Sequence, residues 1–285
     1  MDTVLIPGTS LRCSRCIFGT ATLLRAGSTQ KRLHLLLEAV EQGFTHFDTA
    51  PYYGFGIAER DLSSVLRQNA ELTVTTKVGV YSPGGERQSV GAVYLRKTLG
   101  RLLKRLVVPT IDFSVARARR ALDASLERLG RNHIDLYLLH EPSLELVCTD
   151  EWQRWLETEL AGGRVRHVGL AARASQLVPF LSAAPRLSSV AQVLDSLDRR
   201  EADVVLRSGR PLQITYGYVS AAKSRSPQWS TAQVLEKALC RNSEGAVIVS
   251  TTQPQRLAQY RQLTSISRAD EGLVPSCRTS VHPIT

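Results

Sequence analysis

Four residues in the first half of the chain, Asp48, Tyr53, Lys77 and His140, have side chains that together could handle a proton. A phenol titrates near ~10, too high for an efficient acid–base catalyst at neutral pH. A lysine ammonium beside Tyr53 would favour the phenolate and bring that value down. Asp48 would hold Lys77 in place and balance its buried charge. His140 would hydrogen-bond a substrate oxygen and orient it against the Tyr53 hydroxyl. Such a set suits proton transfer to a carbonyl oxygen while a hydride arrives at its carbon. Singly, each residue means little: a strand-end lysine is ordinarily a solvated charge, a lone histidine structural, and a loop tyrosine packing.

Their value depends on the elements that carry them. Short β-branched or apolar runs alternate with longer helical patterns along the whole chain. The spacing predicts strands at 17–20, 45–48, 73–77, 133–139, 165–171, 190–194, 212–215 and 247–250. Helices are expected at 31–42, 57–67, 114–129, from 151, near 175–181, and at 201–206, 232–241 and 255–261. The near-continuous Leu136-Tyr137-Leu138-Leu139 suits a strand buried on both faces. Eight strand–helix units in roughly 250 residues are the length of a closed (β/α)8 TIM barrel. Pattern alone leaves an open doubly wound sheet as the alternative, but that fold wants G-x-G-x-x-G after its first strand. None follows Ile17-Phe18-Gly19-Thr20, and Gly54-Phe55-Gly56 lacks the third glycine. We therefore expect a single α/β barrel domain over residues 1–285, preceded by an N-terminal β-hairpin and carrying an insertion at about 81–112 after strand 3. A loose C-terminal tail is expected at about 270–285. In a barrel, Asp48, Lys77 and His140 end three consecutive strands and Tyr53 follows in the second loop, so all four meet at the C-terminal rim.

The motifs are those of a known family. Gly43-Phe44-Thr45-His46-Phe47-Asp48-Thr49-Ala50-Pro51-Tyr52-Tyr53-Gly54, Thr75-Thr76-Lys77-Val78-Gly79, Ile134 to His140 and Gly163 to Gly169 occur in order at fitting spacing. On these segments the chain resembles the aldo-keto reductases from about residue 11 to 262, most of all bacterial aldose 1-dehydrogenase-like members. The resemblance implies a barrel, an NADP or NAD cofactor extended over the rim, and a tetrad of Asp48, Tyr53, Lys77 and His140. It places Gly19 and Thr20 near the nicotinamide, Gln192 on its carboxamide, and Tyr216 against its ring. Ser250, Thr251 and Arg256 fall in the turn that contacts the cofactor phosphate, with Ser250 where many NADP-preferring members have lysine. The Ser-Asn pair expected after the fifth strand is replaced by Ala171-Ala172, which removes two carboxamide contacts. The implied function is NAD(P)-dependent hydride transfer to or from a small carbonyl or aldose, with Tyr53 as general acid/base. The insertion offers Arg87, Gln88 and Ser89 as donors to such a substrate. Ala171-Ala172 supports a different class, a nucleotide-binding sensor or subunit with little turnover.

Composition bounds the remaining readings. At 43% hydrophobic and 22% charged the chain is globular, and no apolar run approaches the ~18 residues that span a bilayer. Its start has no basic n-region, and five cysteines form no disulfide framework, so a cytoplasmic location is expected. The net charge of +10 raises a polyanion as partner, but the arginines are scattered. One cluster, Leu95 to Leu106, reads as an amphipathic basic helix. The expected role is an insertion docking its leucines on the barrel, with a membrane surface or acidic partner as the functional alternative. No nucleic acid or membrane partner is otherwise expected. Cys13 and Cys16 have metal or redox spacing but no second ligand pair, so no metal is expected. His46, two residues before Asp48, should point into the barrel as a packed histidine, and Glu141 should be a rim residue.

Overall fold

Eight parallel strands close into a barrel in the computed structural model, which describes residues 1–269. They are β1 (Cys16–Gly19), β2 (His46–Asp48), β3 (Thr73–Val78), β4 (Ile134–His140), β5 (Val165–Ala172), β6 (Val190–Leu194), β7 (Ile214–Tyr216) and β8 (Ala246–Val249). Each pairs with the next, and β8 returns to β1 with Cys16 opposite Val247. The tail expected at 270–285 lies outside the described residues.

Side chains alternate across a strand, so every strand feeds two different cores. Phe18, Phe47, Val74, Tyr137, Leu170 and Val247 face outward and are buried under the helices. Ile17, Leu136, Leu138, Val190, Ile214 and Ala246 fill the barrel. The N-terminal hairpin, Thr3–Leu5 paired with Arg12–Ser14, closes the bottom by adding Ile6, Leu11 and Cys13 to that interior. His46 sits in the same interior, with both ring nitrogens 2.7 Å from threonine hydroxyls, those of Thr73 and Thr75. It is the packed histidine expected. Cys13 and Cys16 are free, and burial pushes both thiols up to about 12, so they are inert. Among the described residues no group of three or more His, Cys, Asp or Glu could hold a metal.

Helices start where the sequence places an N-cap. The hydroxyls of Ser28, Ser89, Ser114 and Ser230 each accept from a backbone N–H one turn on. Gly130, at φ 64°, ends the helix Val115–Leu129 in the left-handed conformation that glycine adopts without a steric penalty. Boundaries otherwise shift by a few residues: the strand expected at 212–215 runs Ile214–Tyr216, and the helix expected at 201–206 is Asp203–Arg207.

Two expectations fail more substantially. The helix Tyr218–Arg225 was not foreseen, because its polar, short sequence has no apolar stripe. The basic cluster at 95–106 is not one docked helix. The helix spans Val90–Leu99, stops at Gly100, and is followed by a 3-10 turn at Lys104–Leu106. A Cβ on Gly100 would lie 2.4 Å from Val107, so the chain folds back tightly there. Val93, not the leucine stripe, is the buried anchor, packed with Phe55 and Ile57. Leu95, Leu99, Leu102 and Leu103 face outward. The neck of the insertion is a short antiparallel pair, Val80–Tyr81 with Thr110–Ile111.

Candidate active site

The interior alternation sets the site. Each inward ladder ends at the C-terminal rim in a residue of different chemistry: Ile17 leads to Gly19, His46 to Asp48, Thr75 to Lys77, Leu138 to His140, Val190 to Gln192 and Ile214 to Tyr216. With Ser250 and Arg256 these residues line one cleft of about 430 Å³, into which Tyr53 also projects. That volume lies in the range of small-molecule and cofactor sites.

Lys77, 1% exposed, donates to both Asp48 carboxylate oxygens at 2.7 Å and to the Thr49 carbonyl at 2.9 Å. All three ammonium hydrogens therefore have acceptors, which is what keeps so buried a charge tolerable. Burial pulls the Lys77 ammonium down and pushes the Asp48 carboxyl up, and their mutual contact opposes both shifts. Lys77 Nζ lies 4.8 Å from the centre of the Tyr53 ring, and the Tyr53 and His140 rings meet edge-to-face at 5.8 Å.

The electrostatics of Tyr53 differ from the sequence expectation. Burial, then the carboxylates of Asp48 and Glu141, hold its phenol well above the ordinary value. Lys77 favours the phenolate from 4.8 Å, but it is held by Asp48 and does not outweigh these effects, so the phenol is protonated at rest. Donating that proton leaves a phenolate, and taking one up in the reverse direction starts from it, so the Lys77 ammonium 4.8 Å away is placed to stabilise the form both directions need.

Burial also pulls His140 down to about 3, with the Lys77 charge acting in the same direction. His140 is therefore a neutral donor–acceptor at neutral pH, and its Nδ1 is buried without a partner. His46 is likewise pulled down to about 3. Both rings bind a proton in the unfolded chain below the ordinary histidine value but not in the fold. Stability present above about pH 6.5 is therefore lost progressively as the pH falls toward 3, at up to ~1.4 kcal/mol per pH unit for each ring. Ring-proton NMR of the native protein should show neither histidine titrating near 6.5. A His140 resonance moving there would contradict the assignment.

Other expected positions divide. Thr20 is outside the cleft lining, with its N–H and hydroxyl both donating to the Asp48 carbonyl. Thr251 is also outside it, and its hydroxyl accepts from the Gln253 N–H at the entry of the last helix, Gln255–Ala269. Ser250 lines the cleft, but its hydroxyl donates to the Gly19 carbonyl. Gly19 is small for a packing reason, since a Cβ there would lie 2.6 Å from Ser250 Oγ and 2.8 Å from Ile248. Arg87, Gln88 and Ser89 are not in the cleft. Arg87 pairs with Glu127, Gln88 is bonded to the Pro83 and Gly85 carbonyls and to Arg96, and Ser89 caps its helix. As placed here, none of the three reaches the cleft that holds Tyr53.

The cleft also holds groups that the sequence reading passed over or placed loosely. Glu141 is more than a rim residue: it lines the cleft beside His140 at φ 49°, its N–H bonded to the Ala171 carbonyl at 2.7 Å. Arg25 and Lys223 add cationic walls, and neither lies in a motif that could have marked it. The carbonyl oxygen of Gln192 is buried without a partner in the same space.

Comparison with known proteins identifies the family. The model of the Aldo/keto reductase family matches residues 15–206, and the chain belongs to that family. Among curated relatives, D-threo-aldose 1-dehydrogenase of a Pseudomonas species is 31% identical over 164 residues, 54% of this chain and 47% of that protein. The 6-dehydroglucose reductase of Agrobacterium fabrum is 28% identical over 166 residues, 56% and 50% of the two chains. The matched region thus spans about half the length of these relatives. A solved aldo-keto reductase from Bacillus halodurans, in its holo form, superposes with a TM-score of 0.70 over 99% of both chains at 19% identity, a likeness of fold.

Proposed function

We propose that the protein is an NAD(P)-dependent oxidoreductase that interconverts a small aldose, or a related carbonyl, with its oxidised or reduced partner. The observation that carries this reading is the convergence of Tyr53, His140 and the Asp48–Lys77 pair at the floor of one cleft. The similarity to a sugar dehydrogenase and a sugar reductase supports the substrate class. Tyr53 holds the proton that moves to or from the substrate oxygen. His140, neutral, orients that oxygen, and Lys77 and Asp48 fix the floor on which the phenol rests.

The cleft fits a nicotinamide nucleotide. Gln192 presents a buried acceptor with no protein partner, suited to a carboxamide N–H. Tyr216 offers a ring at the end of β7, and Arg256 lines the same cleft. Bound there, the nicotinamide would supply or take the hydride. Ala171 contributes only a methyl group to this wall, so the protein holds the carboxamide with fewer contacts than the family pattern provides. That feature favours the second reading, a nucleotide-binding sensor with little turnover.

A panel of aldoses and simple aldehydes, assayed with both cofactors by absorbance of the reduced nicotinamide, separates the two. Turnover of at least one aldose, with oxidation to the lactone as the physiological direction, is expected. Tight cofactor binding with no turnover across the panel would favour the sensor. Activity confined to bulky apolar carbonyls would remove the aldose reading.

Cofactor choice follows from charge. The 2′-phosphate of NADP carries nearly two negative charges and wants a cationic clamp. Arg256 provides one charge at the start of the last helix, while Ser250 provides none and is tied to Gly19. One charged contact contributes roughly 1.5–3 kcal/mol, so a preference below ~100-fold is expected. Arg256→Ala should weaken NADP binding far more than NAD binding in a fluorescence titration. Equal losses would show that Arg256 does not read the phosphate.

A further inference from the structure

The insertion between β3 and the helix Val115–Leu129 has a surface unlike the rest of the protein. Among the described residues, fourteen large apolar side chains are exposed, and eight of them lie between Val90 and Ile111. Leu102 is 85% exposed and Leu95 61%, both far above what a docked leucine shows. From Arg87 to Ile111 the chain has six lysines and arginines and no aspartate or glutamate. Arg96 and Lys97 are engaged, with the Gln88 amide oxygen and the Phe55 ring. Arg101, Lys104 and Arg105 are exposed around the leucine tip.

We propose that this tip is a docking surface for an anionic lipid membrane, with Leu99, Leu102 and Leu103 entering the headgroup–acyl boundary and Arg101, Lys104 and Arg105 meeting lipid phosphates. Leucine at the apex flanked by unopposed cations is the composition of an interfacial anchor. Charge argues against a second copy of the chain, because an isologous contact would set the three cations of one copy against those of the other. Apolarity argues against a nucleic acid, which would neutralise the cations and leave the leucines in water.

The tip is not a loose appendage. Tyr94 donates to the Leu24 and Gly27 carbonyls, Tyr52 donates to the Val107 carbonyl at 3.2 Å, and Val93 packs on Phe55. These contacts fasten the insertion to the loop that carries Tyr53, so docking would bring the catalytic edge of the barrel to the membrane. No helix among the described residues is long and apolar enough to cross a membrane, so the contact proposed is with its surface, against the expectation of no membrane partner.

The test is flotation of the full chain with vesicles of phosphatidylcholine alone and with about one third phosphatidylserine. Retention on the anionic vesicles only, falling as salt is added, is expected. Each cation near such a surface is worth about a fivefold factor, so Arg101→Gln, Lys104→Gln and Arg105→Gln together should weaken binding ~100-fold. Leu102→Asp with Leu103→Asp should abolish retention while cofactor affinity and near-ultraviolet circular dichroism stay as in the parent. All five side chains are exposed, so folding should survive either change. No retention of the folded parent on anionic vesicles would overturn the proposal. So would retention that neither variant changes, tighter binding to duplex DNA that ignores the leucines, or a dimer in sedimentation analysis that Leu102→Asp dissociates.

Discussion

Tyr53→Phe should lower turnover by ~100-fold or more while leaving cofactor affinity nearly unchanged. The substitution keeps the ring that packs edge-to-face on His140 and lies under Lys77, and removes only the hydroxyl. Burial and the carboxylates of Asp48 and Glu141 keep that hydroxyl protonated, and its ring meets His140 edge-to-face, so it is the phenol placed beside a substrate oxygen that His140 would orient. The neutral His140 has no spare proton to lend without becoming an anion. Steady-state kinetics on the best substrate, with cofactor titrations beside them, make the measurement. Near-normal turnover of the phenylalanine variant would remove Tyr53 from the chemistry.

Lys77→Met should damage both catalysis and the fold. The lysine is the principal partner of the Asp48 carboxylate, which is 3% exposed. Removing one member of a buried pair typically costs ~3–5 kcal/mol, because the other is left charged and dry. Asp48 would answer by taking up a proton, so its carboxyl would titrate even higher than burial already sets it. A raised carboxyl value means that the variant's deficit should be smaller at low pH and grow as the pH rises through that value. Urea denaturation at two pH values measures this directly. Adding Asp48→Asn to Lys77→Met should recover part of the stability and none of the turnover. A single variant as stable and active as the parent would show that the ion pair supports neither.

The sequence was legible where chemistry follows from periodicity. Alternation by two places Gly19, Asp48, Lys77, His140, Gln192 and Tyr216 on the inward face of their strands, and parallel closure brings those ends together. The leucine stripe at 95–106 misled for a definable reason: periodicity marks a face but not whether anything covers it. Here a tight return at Gly100 turns the leucines outward. Arg87, Gln88 and Ser89 misled because their hydrogen bonds are closed within the insertion and with Glu127, which no linear reading displays. The direction of the Tyr53 shift depends on depth and on Glu141, one residue past His140, as well as on Lys77, and depth is not displayed by a linear sequence. Arg25 and Lys223 reach the cleft from a 3-10 turn, Leu23–Ala26, and from the helix Tyr218–Arg225, whose sequences have no motif.

The seam between β8 and β1 has a kinetic consequence. Val247 pairs with Cys16, and Arg15 reaches back to the carbonyls of Leu239, Ser243 and Gly245. Every other strand in the ring pairs with the one next to it in the barrel, so most of the wall can be assembled from neighbouring units as the chain is synthesised. The last pairing joins segments more than two hundred residues apart, and its loop-closure entropy falls on one step. Until β8 has emerged from the ribosome, the nascent wall has two open edges, at β1 and at its growing end. The strands exposed there are the natural place for a chaperone to hold the chain.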